Sequence, residues 1–208
     1  MIEKQVAQIL LDVGAVELSP NEPFTWASGI ESPIYCDNRL TMADPSGRKV
    51  IAKGIADLIR THYPEATVIA GTATAGIPHA AWIADELQLP MVYIRSKPKG
   101  HGQGRQIEGK MKEGDRAIIV EDLISTGGSS LNAAEAVQRE GYQVDGVVSI
   151  FTYGLNKADE LFKQADLSYH SLTNFDALVE VAEANGTIQP SHIQSLTNWH
   201  TQLKEGKL

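Results

Sequence analysis

Residues 117–130 read AIIVEDLISTGGSS, and few folds accommodate that order. Ala117, Ile118, Ile119 and Val120 form an unbroken apolar run, as in a strand buried on both faces of a parallel sheet. Two acids follow, Glu121 and Asp122, then Leu123 and Ile124, then the small residues Ser125, Thr126, Gly127, Gly128 and Ser129. Leu131, Ala134 and Val137 next recur at helical spacing as far as Gly141. Strand, acids, glycine loop and helix start therefore succeed one another within one short unit.

The same alternation runs through the chain. Residues 67–70, 91–94, 144–151 and 167–172 are further short strand-like runs. Helical patterns surround them: Ile2, Val6, Ile9, Leu10 and Val13 with Gly14 as cap, then a helix opening at Asp44-Pro45 with Val50, Ile51, Ile55, Leu58 and Ile59 buried. The loop 71–76, GTATAG, opens a helix through Ala80, Ile83 and Leu87, and its N–H groups can serve an anion. Shorter patterns follow at 158–162, at Leu178 and Val181 behind the cap Asn174, and at Ile193, Leu196, Trp199 and Leu203 behind Pro190. The reading predicts an α/β chain with a mostly parallel central sheet covered by helices on both sides. No linker or repeat interrupts it, so 1–208 is expected to form one domain.

The chemistry of 121–129 follows from its residue types. N–H groups at a helix N-terminus are unpaired and lie at the positive end of the dipole, so a phosphate binds there. Gly127 and Gly128 permit positive φ and close backbone approach, and Ser125, Thr126 and Ser129 offer hydroxyl donors. Glu121 and Asp122 can accept from sugar hydroxyls at the carboxyl edge of the sheet, where ligands of open α/β folds bind. A ribose 5-phosphate satisfies both halves. An ordinary strand–helix turn would need only Ser129 as its cap.

Two irregular segments flank this core. Residues 19–37 hold three prolines and the aromatics Phe24, Trp26 and Tyr35, which look exposed, and read as a surface cover over a ligand. Residues 96–110, SKPKGHGQGRQIEGK, carry four glycines and almost nothing apolar, so no packed element is expected there. Yet Lys97, Lys99, His101, Arg105 and Lys110 concentrate in it, within a chain of net charge −8. Between two ligand loops, a glycine-rich cationic segment reads as a lid for a polyanion.

Other chemistries find little support. The net charge of −8 disfavours a nucleic-acid or membrane-surface role. A lone cysteine, Cys36, fits a packed side chain in a reducing cytoplasm, and no run has the length or polarity of a signal or membrane segment. Gly100, Gly102 and Gly104 lack the spacing of a dinucleotide fingerprint and open no helix. The six histidines show no zinc spacing; His192 and His200 are expected to be solvent-facing or capping.

Residues 117–130 resemble the phosphoribosyl diphosphate (PRPP) signature of the type I phosphoribosyltransferases. The pattern from Arg95 through Lys99 and His101 to Gly104 resembles the catalytic loop of the orotate phosphoribosyltransferases. So does the hood pattern in which Phe24, Ser28, Gly29, Ser32, Pro33 and Tyr35 recur in that family's order. The resemblance implies the type I fold, with a hood over about 1–40 and a catalytic loop over about 96–110. It implies transfer of ribose 5-phosphate from PRPP to orotate in UMP biosynthesis. PRPP would be held by Arg95, Lys99, His101, Glu121, Asp122, Leu123, Ile124, Ser125, Thr126, Gly127, Gly128 and Ser129, and orotate by Ser125. Lys99 and His101 would be catalytic. Mg²⁺ would be carried mainly by the diphosphate, with no protein residue assigned to it, in a cytoplasmic homodimer whose lid is shared across subunits.

The chain also departs from the family. Ala27 stands where many members have lysine, Thr74-Ala75 where they have Tyr-Lys, and Tyr153 where a base-binding arginine is expected. Lys97 and Lys110 are the candidates to compensate. Transfer to another base and a non-catalytic PRPP sensor on the same fold remain the alternatives.

Overall fold

The computed structural model describes residues 2–26, 29–98 and 105–208. Ala27, Ser28, Lys99 and His101 lie outside them, as does the whole stretch 99–104 within the span 96–110 read above as an unpacked lid. The chain opens with helix α1 (Ile2–Asp12) and four short strands, β1 (Val16–Leu18), β2 (Phe24–Thr25), β3 (Glu31–Ser32) and β4 (Ile34–Cys36). β1 pairs antiparallel with β4 and β2 with β3, forming two ribbons. A 3₁₀ turn (Asn38–Ala43) leads into α2 (Pro45–His62), capped by Asp44 accepting from the Ser46 N–H as its sequence predicted.

There follow β5 (Val68–Thr72), α3 (Gly76–Leu87), β6 (Met91–Ile94), β7 (Ile107–Glu108) and β8 (Arg116–Ile124). The rest is α4 (Gly128–Arg139), β9 (Gln143–Thr152), α5 (Asn156–Gln164), β10 (Ser168–Asn174), α6 (Phe175–Ala184) and α7 (Pro190–Lys204). The main sheet runs β10-β9-β8-β5-β6-β7, with every neighbouring pair parallel except the edge strand β7.

Burial explains the unbroken apolar run of β8. Ile118 and Val120 point into a core shared with α1, α2, α3 and α6, while Ala117 and Ile119 point into a second core shared with α4 and α5. A strand covered on both faces has no solvent side on which to place polar residues. Two glycines allow the layers to close. A Cβ on Gly76 would press into the Val120 carbonyl oxygen, so α3 starts directly against β8. A Cβ on Gly146 would collide with the Tyr63 ring.

β7 is a departure from expectation. The carboxyl part of the glycine-rich segment is anchored, with Ile107 opposite Ile94 and Glu108 opposite Tyr93. Ile107 supplies the one apolar side chain that this edge needs, and it is buried against the α4-side core.

Candidate active site at the carboxyl edge of the sheet

β8 runs further than its apolar stretch, through Glu121 and Asp122 to Ile124, so both acids are held by ladder geometry rather than by a loop. Glu121 is only 5% exposed. Its Oε2 accepts from Ser129 Oγ at 2.7 Å and its Oε1 from the Asp122 N–H at 3.2 Å. Burial pushes the Glu121 carboxyl up to about 8, with the neighbouring Asp122 charge adding to the effect. Asp122 is also raised, chiefly by burial. The pair is a compact acceptor site that retains a proton more readily than free carboxylates do.

The loop after β8 starts α4. Its cap is Gly127, at φ +81°, where a Cβ would meet the Phe162 ring at 2.7 Å. Only glycine combines that conformation with that contact. The Ser129 hydroxyl does not cap the helix; it is spent on Glu121. What the first turn offers a ligand is its unpaired N–H groups, with Ser125 half-buried and Thr126 and Gly128 exposed beside them. Ile124 is fully buried and half-buried Leu123 packs on the core, so Ile124 can meet a ligand only through its main chain.

Two other strand ends share this edge. Thr72 closes β5, and its hydroxyl is one of three buried hydroxyls among the described residues without a partner. Arg95 follows β6, with Nη1 3.3 Å from Glu108 Oε1. Arg95, Glu121, Asp122 and 125–129 are thus brought to one edge.

The hood is attached from two directions. Asn38 Nδ2 donates to the Asp122 carbonyl at 2.8 Å. Trp26, expected to be exposed, packs on the core instead; its Nε1 donates to the Ile34 carbonyl at 3.2 Å and its ring lies 5.5 Å from that of Tyr153. From α7, Trp199 donates to the Glu31 carbonyl at 2.9 Å and meets Trp26 edge-on at 5.8 Å. The next residue, His200, corrects the expectation of a solvent-facing or capping side chain. It is buried, its Nε2 lies 2.6 Å from the Tyr153 carbonyl, and its ring stacks on Phe175. His192 does cap, its Nδ1 accepting from the Gln189 N–H.

Tyr153 is buried between these groups, and burial pushes its phenol up. Burial, with the charges of Asp122 and Asp37, also pushes the Cys36 thiol well above its ordinary value, which suits a packed side chain and not a nucleophile. Asn38, Trp199 and His200 carry no signal in the sequence for these roles, because each acts on a partner remote in the chain.

The profile of the phosphoribosyl transferase domain family matches residues 43–182. Over 199 residues the chain is 59% identical to an orotate phosphoribosyltransferase of Bacillus subtilis, covering 96% of this chain and 92% of that protein. It is 57% identical over 198 residues to an orotate phosphoribosyltransferase of Halalkalibacterium halodurans, covering 95% and 94%. The crystal structure of orotate phosphoribosyltransferase from Aeropyrum pernix superimposes with a TM-score of 0.76 at 28% identity, over 88% of this chain and 99% of that one.

Proposed function

We infer the chemistry from kinship and geometry together: the chain belongs to the phosphoribosyltransferase family, and within it to the orotate phosphoribosyltransferases. It has the type I fold and transfers ribose 5-phosphate from PRPP to orotate, giving orotidine 5′-monophosphate and diphosphate in UMP biosynthesis. The observation that carries the site assignment is that Glu121 and Asp122, held in β8, are joined to the start of α4 by the hydrogen bond from Ser129 to Glu121.

In this reading the N–H groups of 125–129 take the 5′-phosphate, and Glu121 and Asp122 accept from the ribose hydroxyls. Ser125 borders the orotate. As the orotate ring nitrogen attacks the anomeric carbon, the bond to diphosphate breaks with inversion, leaving negative charge on the departing group. Arg95, with Lys99 and His101 from the segment beyond it, stabilises that charge, and the loop 72–76 offers further N–H donors. Closure over the site keeps water from the activated sugar.

Mg²⁺ fits this donor set: two carboxylates lie at the ribose site, and no three His, Cys, Asp or Glu side chains cluster among the described residues. Such a site suits an ion held mainly by substrate oxygens and water. When bound, it would offset diphosphate charge. The reading extends to a cytoplasmic homodimer in which each site takes its lid from the neighbouring subunit. No helix among the described residues is long and apolar enough to cross a membrane.

The test follows orotate absorbance with PRPP and Mg²⁺, then with the metal chelated. Metal-dependent loss of orotate with diphosphate release supports the reading, and turnover unaffected by chelation refutes the metal's part in it. Turnover with uracil, adenine, hypoxanthine or xanthine in place of orotate would overturn the substrate assignment.

A further inference from the structure

Arg95 is the described cation assigned above to the diphosphate, so whatever holds its backbone holds the grip on the leaving group. Its N–H donates to the Gln106 carbonyl at 2.9 Å. Gln106 Nε2 donates back to the Arg95 carbonyl at 3.0 Å, and Gln106 Oε1 accepts from Arg139 Nη2 at 2.6 Å. Gln106 is 6% exposed, so its side-chain amide bonds to protein and little to water.

The residue type matters. A primary amide donates to a carbonyl and accepts from a guanidinium at the same time. A carboxylate in its place would serve Arg139 but set an anionic oxygen against the Arg95 carbonyl. A lysine would serve the carbonyl but repel Arg139. Arg139 is in the last turn of α4, the helix whose first turn is assigned to the 5′-phosphate. Gln106 therefore joins the segment carrying Arg95 to the element that takes the other end of PRPP.

We propose that Gln106, seated on Arg139, is a positioning residue for Arg95, setting the backbone from which its guanidinium projects toward the diphosphate. It touches no substrate itself. The inference rests on the assignment of Arg95 to the diphosphate. A purely structural bond at the foot of β7 would lower stability and leave the balance between the two substrates unchanged.

The test is Gln106→Glu, which keeps the acceptor for Arg139 and replaces the donor to the Arg95 carbonyl with an anionic oxygen. Its KM for PRPP should rise about ten-fold, the worth of one buried hydrogen bond. KM for orotate should stay within about two-fold, because the bond acts through Arg95 alone. In an Arg95→Ala background the same change should add less than about two-fold, since the two residues act as one unit. Arg139→Met, altering an exposed side chain and so sparing the fold, should raise KM for PRPP a few-fold in the same direction. An unchanged KM for PRPP in both variants, or a full effect persisting without Arg95, overturns the inference while leaving the assignment of Arg95 intact. If Arg95→Ala alone leaves KM for PRPP unchanged, that assignment falls and the inference falls with it.

Discussion

Glu121→Gln should make the free protein more stable and the enzyme worse. The carboxyl is buried beside Asp122, and burial lifts it from an ordinary 4.5 to about 8. Between those values the folded chain keeps a proton that the unfolded chain has released, so stability falls as pH rises through that window. At pH 7, with about 1.36 kcal/mol per pH unit above 4.5, the cost is about 3 kcal/mol at most, since Asp122 shares the proton. The amide is nearly isosteric, can still pair with Ser129, and does not ionise. For a chain of this size that gain corresponds to a rise in melting temperature of roughly 6–12 °C near neutral pH. At pH 5 the two proteins should nearly coincide. Thermal and urea denaturation from pH 5 to 8.5, without substrate, measures this directly. Curves for wild type and variant that stay parallel across the range would refute the argument. The functional cost is an acceptor at the ribose site that can no longer ionise, read as a higher KM for PRPP.

Gly76→Ala should cost at least about 2 kcal/mol, because its Cβ would press on the Val120 main chain, which has no flexible end to yield; a urea midpoint equal to wild type would show that α3 can shift. Lys99→Ala should lower turnover by about two to three orders of magnitude, as loss of a donor to a developing charge does; near-normal turnover with an unchanged melting temperature would remove Lys99 from the mechanism. The His170 ring stacks on His62 at 3.8 Å, and burial followed by the His62 charge lowers its pKa from 6.5. Between the lowered value and 6.5 the unfolded chain holds a proton that the folded one does not, so stability falls as pH falls through that window. His170→Phe should keep the stack and flatten the loss of stability between pH 7 and 5, and an acid limb identical to wild type would count against the pair.

Most of the architecture was legible because it is written locally. The apolar period of 117–120, the acids after it and the glycines at 127 and 128 state a doubly covered strand, an acceptor pair and a helix start without reference to anything distant. The caps Asp44, Asn174 and His192 act within three residues of their partners. β7 was not legible, since two residues give no period and Ile107 needs Ile94 to become a strand residue. His200 read as a surface or capping group because nothing near it in sequence reveals the Tyr153 carbonyl or the Phe175 ring. The hood also gains a contribution from α7 through Trp199, remote from the segment it supports.

The sequence by itself determined the strand–helix alternation, the phosphate-type loop and the kinship, because periodicity and backbone permissiveness are properties of neighbouring residues. Only the tertiary structure decided the proton affinity of Glu121, the burial of His200 and the bridge from Arg139 through Gln106 to Arg95. Those depend on desolvation and on hydrogen-bond partners that the fold brings together from distant parts of the chain.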